Sequence, residues 1–158
     1  MKKTTRTLVR VAFFAALYAT LTLVLPALSY GIIQFRISES LVLLPLLFPE
    51  SIWGLTIGCF IANIPMGLMD MVLGSLATLL ACIFSRLLKK PYFAIFPPIV
   101  FNALIIPIIF LSVPDITTPY LYNVMTISLS ELVAMLSLSL PLYYGVKSIL
   151  KKKGMLSK

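Results

Sequence analysis

Histidine is absent from this chain. That removes His-based triads, His-ligated zinc and imidazole general bases from consideration. Cysteine occurs twice, at Cys59 and Cys82, each inside an apolar run. Two such residues make neither a disulfide framework nor a metal cluster, and they read as small buried hydrophobes. No G-x-x-x-x-G-K-[ST] loop is present, so the chain does not itself hydrolyse ATP by that machinery. Charge is scarce as well. Only 11% of the 158 residues are charged, where a soluble domain carries about 25%. In their place stand 60% hydrophobic residues and a mean hydropathy of +1.05. With no linker, internal repeat or low-complexity tract, residues 1–158 are expected to form one all-α integral membrane domain.

The few charges are unevenly placed. Thirteen basic residues face five acids. Lys2, Lys3, Arg6 and Arg10 open the chain, Arg86, Lys89 and Lys90 sit mid-chain, and Lys147, Lys151, Lys152, Lys153 and Lys158 close it. Only Arg36 lies elsewhere. Basic clusters mark cytoplasmic loops by the positive-inside rule, so the net charge of +8 reads as topology. It lacks the aromatic interleaving of a nucleic-acid surface. The N-terminus has the basic start of a signal peptide. Its apolar run of about 20 residues suits a spanning helix better, and a retained first helix is expected.

Hydropathy and breakers predict a bundle of six transmembrane helices, over residues 8–25, 38–48, 51–64, 69–88, 92–111 and 123–146. The second is short, hence tilted, broken or re-entrant. The fifth holds Pro97, Pro98 and Pro107, which membrane helices tolerate where neighbours satisfy the freed carbonyls. Six spans put both termini on one side together with the 88–92 loop. All three basic clusters then face the cytoplasm of a plasma-membrane protein.

Polar residues inside such spans are costly and point to function. Ser29–Glu50 is the richest stretch, with Gln34, Arg36, Ser38 and Glu39 within six positions. Asn63, Asp70, Asn102, Asn123 and Glu131 fall at similar depth in other spans. Together they predict one pocket open to the outside, with Gln34, Arg36, Glu39, Asn63, Asp70, Asn102 and Glu131 as its substrate-binding residues. The competing reading is structural: Arg36 neutralises Glu39 or Asp70, and the amides tie helices together. Three carboxylates favour a ligand with donors or positive charge, and the amides can donate and accept. Tyr30, Phe35, Tyr120 and Tyr122 could stack on a flat ring. The expected ligand is a planar, donor-rich heterocycle, neutral or cationic. Metal ions fit less well, and neither a metal, a cofactor nor a catalytic residue is expected.

Ala12, Ala15, Ala16 and Ala19 form a small-residue strip that lets another helix approach closely. The approaching helix belongs either to this chain or to a partner protein. A second strip, Gly54, Gly58 and Ala62, reads as internal packing.

The run IQFRISESLVLLPLLFPESIWGLTIGCFIANI, followed by LMDMVLGSLATLLA, closely resembles the QueT family. The likeness covers about residues 8–147 and is densest from Gln34 to Ala81. It implies the substrate-binding (S) component of an energy-coupling factor (ECF) transporter. It implies a six-helix bundle that captures a queuosine precursor, aminomethyl-deazaguanine, from outside. It also implies a coupling membrane subunit and two ATPases as partners, with the alanine strip where the coupling subunit docks. In that frame Glu131 suits the guanine-like N–H edge, Asn102 the ring carbonyl, and Asp70 or Glu39 the cationic aminomethyl group.

Two other readings remain. A self-sufficient carrier or channel would use Glu39, Asp70 and Glu131 as a proton or cation path. A membrane enzyme would have only carboxylates for acid–base work.

Overall fold

Every regular element among the described residues of the computed structural model is helical; these are residues 3–26, 35–112 and 118–155. A chain this apolar has little choice. A helix satisfies its backbone polar groups internally, as hydrocarbon demands. The elements are α1 (Lys3–Val24), a 3-10 segment (Ile37–Leu46), α2 (Ser51–Ala62), α3 (Asp70–Leu88), α4 (Pro91–Leu111) and α5 (Tyr120–Lys152). α1, α3, α4 and α5 are long and apolar enough to cross a membrane; the 3-10 segment and the Ser51–Met66 helix are shorter. This is a membrane protein.

The boundaries differ from the sequence reading in two places. α1 and α5 run further into their basic ends than hydropathy predicts, because lysine and arginine are good helix formers outside the apolar window. α5, at 33 residues, is about 50 Å long and outreaches a hydrocarbon core of about 30 Å.

The short second element is 3-10 throughout its ten residues, an uncommon length for that helix. At about 2 Å per residue it reaches about 20 Å, further than an α-helix of ten residues. Ser38 to Pro45 are all buried. The segment forms the axis of the molecule, with α1, α2, α3 and α5 packed around it. Pro45 lies inside it, and Arg86 donates to the Pro45 carbonyl oxygen at 2.6 Å.

Two apolar clusters flank this axis. On one side Phe14, Tyr18, Leu41, Val42, Leu44, Leu55, Cys59 and Cys82 join α1, α2 and α3 to it. On the other side Leu43, Ala94, Ile95, Met135 and Tyr143 join α4 and α5. α1 and α2 approach closest. A Cβ at Gly58 would lie 2.6 Å from the Ala15 carbonyl oxygen, and one at Gly54 would lie 2.7 Å from that of Val11. The glycine strip thus meets α1, as the packing reading expects. It covers Ala15; Ala19 is buried too, while Ala12 and Ala16 stay exposed.

The basic clusters converge on one end of the bundle. Arg10 bridges Glu50 at 2.6 Å and sits 5.8 Å over the Phe48 ring. Lys147 sits 5.6 Å over Tyr143. Partial burial pushes the Glu50 carboxyl up, but the Arg10 hydrogen bond, its backbone contact and the Arg10 and Arg86 charges outweigh that and hold it below its ordinary value.

Candidate functional site

The polar residues that hydropathy cannot explain meet around Glu39. Arg36 caps the 3-10 segment in extended conformation, and Glu39 lies in its first turn, its backbone N–H donating to the Arg36 carbonyl oxygen at 3.0 Å. Both are buried. Tyr18 of α1, fully buried, donates its hydroxyl to Glu39 Oε1. Thr78 of α3 and Asn102 of α4 stand near the same carboxylate. Asn102 Nδ2 also donates to Glu131 Oε1 of α5 at 3.0 Å. Arg36 lies in electrostatic reach of Glu39, Glu131 and Asp70. One guanidinium therefore answers three carboxyl groups.

Asn63 completes the wall. It is fully buried at the end of α2, and its Nδ2 donates to the Asp70 carbonyl oxygen at 3.1 Å and to Cys59 Sγ at 3.4 Å. Thr78 Oγ1 donates to the same sulfur at 3.4 Å. Residues Asp70–Gly74 form a π turn, as do Met135–Ser139 four residues after Glu131. Such turns break the regular ladder and recur at functional sites.

The polar atoms left over are the most informative. Among the described residues, Glu39 Oε2, Asn63 Oδ1, Glu131 Oε2 and Ser139 Oγ are buried without a hydrogen-bond partner. Three of the four can only accept when the carboxylates are ionised. Each orphan costs about 1–3 kcal/mol, more when charged. A ligand rich in N–H donors would relieve that cost. Among the described residues no group of three or more potential ligands could hold a metal ion.

The structure thus brings Arg36, Glu39, Asn102 and Glu131 together, with Asn63 alongside. Asp70 is half-buried and contributes its backbone oxygen. Gln34 and Tyr30 lie outside the described residues. Asn123 is engaged with Thr118, accepting from its hydroxyl at 2.9 Å. Tyr120 donates to the Leu104 carbonyl oxygen at 2.9 Å and Tyr122 is exposed, so neither faces the cluster. Phe35 borders a groove of about 290 Å³ with Thr126, Leu129, Ser130 and Val133. Sequence reasoning missed Tyr18, Thr78 and the role of Cys59 as an acceptor. Each is common in apolar helices, and only the partner across the bundle gives it a role.

A family description, QueT transporter, matches residues 8–148. The chain belongs to the QueT transporter family. A transport role follows from membership. The chain is similar to the queuosine precursor transporter QueT of Lactococcus lactis subsp. cremoris (strain MG1363), at 40% identity over 102 residues. That match covers 59% of this chain and 60% of the relative, so the chain spans less than two thirds of that protein. No solved structure matches the chain.

Proposed function

We propose that this chain is the substrate-capture subunit of an ECF-type importer and binds a deazaguanine-type queuosine precursor. It is not an enzyme. The observation that carries the ligand reading is the set of buried acceptors, Glu39 Oε2, Asn63 Oδ1 and Glu131 Oε2, grouped around Arg36. A guanine-like edge supplies adjacent N–H donors to Glu131. Asn102 suits the ring carbonyl, and a cationic aminomethyl group suits Glu39 or Asp70 through a charge-assisted hydrogen bond. The name of the Lactococcus relative supports the same cargo.

The topology follows the same reading. Six helical segments form one transmembrane domain of the cell membrane, with the basic end and both termini in the cytoplasm. The chain carries no nucleotide loop, so a coupling membrane subunit and two ATPases supply the energy. Ala12 and Ala16 remain exposed for that docking, while Ala15 packs on α2 and Ala19 is buried.

Competition binding tests the ligand. Purified chain in detergent should bind aminomethyl-deazaguanine, and guanine, lacking the amine, should displace it only at much higher concentration. Equal displacement by guanine would remove the cationic contact from the reading.

A further inference from the structure

Gly74 closes the π turn of α3 in ordinary right-handed helical geometry, with φ −63° and ψ −44°. No backbone strain calls for glycine there, and alanine would favour a helix by about 0.5–1 kcal/mol. Space calls for it. A Cβ at this position would lie 2.7 Å from Asn63 Nδ2 and 4.0 Å from a guanidinium nitrogen of Arg36.

The neighbour cannot simply turn away. Both amide hydrogens of Asn63 are used, one toward the Asp70 carbonyl and one toward Cys59. Turning the amide over would set its oxygen against the Asp70 oxygen, acceptor against acceptor. Its orientation is therefore determined, and Oδ1 is left buried and unpartnered among the described residues.

We propose that Gly74 is a positioning residue for ligand recognition. Its missing side chain lets α3 hold Asn63 so that Oδ1 meets a ring N–H of the bound heterocycle, beside Arg36. This rests on the ligand reading above and adds to it the residue that sets the wall.

A double-mutant cycle on the full chain tests the assignment. Aminomethyl-deazaguanine is the titrated probe, and the unfolding temperature without probe is the second readout. Asn63→Ala should weaken binding about tenfold, the size of one hydrogen bond. Gly74→Ala should do the same. The double variant should lose no more than either alone, because a truncated residue 63 leaves nothing for the new methyl to displace. Losses that multiply, or a Gly74→Ala chain that binds like wild type, would overturn the proposal. If Gly74→Ala does not fold, recovery in the Asn63→Ala background supports the assignment and failure in both backgrounds overturns it. If wild type ignores the probe, the ligand reading alone fails. The unfolding temperatures then decide: a drop on Gly74→Ala that vanishes with Asn63→Ala keeps the positioning role, and an equal drop in both backgrounds removes it.

Discussion

Tyr18 and Glu39, 21 positions apart, share a buried hydrogen bond in which the phenol donates to the carboxylate. It ties α1 to the 3-10 axis at the centre of the polar cluster. The Thr22 and Ser38 hydroxyls, 2.7 Å apart, make a second link one turn away. Tyr18→Phe keeps the ring and removes the donor, leaving Glu39 Oε1 without this partner beside the already unpartnered Oε2. The variant should fold, lose about 1–3 kcal/mol of stability without ligand, and change its affinity for a cationic ligand. Thermal unfolding with and without aminomethyl-deazaguanine checks this; an unchanged curve in both conditions would deny the bond its role.

The α1–α2 seam gives a packing prediction. Gly58→Ala would place a methyl 2.6 Å from the Ala15 carbonyl oxygen and 2.8 Å from Tyr18 Cβ. Overpacking of this kind costs about 1–3 kcal/mol. The unfolding temperature should fall, although alanine is the better helix former. A rise would mean that the helices are further apart than described.

The same seam separates the alanines. Ala16→Trp should abolish ATP-driven uptake by the assembled transporter while ligand binding by the isolated chain survives, since Ala16 is exposed. Ala15→Trp should impair folding, because Ala15 faces Gly54 and Gly58. Uptake that survives Ala16→Trp would place the coupling subunit elsewhere.

At the basic end, pH should act through Glu50. Its carboxyl is held below the ordinary 4.5, so the stability it contributes is present above that value. It is lost as pH falls through the lower folded value. The fall in unfolding temperature from neutral to acidic pH should therefore be smaller in Glu50→Gln than in wild type. Parallel curves would show that the Arg10–Glu50 pair contributes nothing. Exposure of Arg10 keeps the expected difference small.

Much of the buried polar cluster was legible in the sequence for one physical reason. Asn63, Asn102 and Glu131 stand in apolar runs, and Arg36 and Glu39 between two of them, where lipid exposure is too costly, so burial was expected. Tyr18 was not legible, because a tyrosine in a spanning helix reads equally as an interface anchor. The π turns were not legible either, since residues such as Asp70–Gly74 carry no distinct composition. The alanine strip was legible as a packing face but not as two. Its four positions cover an arc of roughly 100° on a helix of 3.6 residues per turn. α2 covers only the edge with Ala15. The 3-10 geometry of Ile37–Leu46 was legible only as shortness.

The most direct measurement is equilibrium binding of aminomethyl-deazaguanine to the purified chain, compared between wild type and Glu131→Gln. Asn102 reaches Glu131 Oε1 and leaves Oε2 open, so the substitution removes a charge-assisted acceptor with little change of shape. A hydrogen bond to a charged group contributes about 1.5–3 kcal/mol, so affinity should fall roughly ten- to hundredfold. Equal affinity in the two chains, or no binding by a folded and monodisperse wild type, would contradict the account.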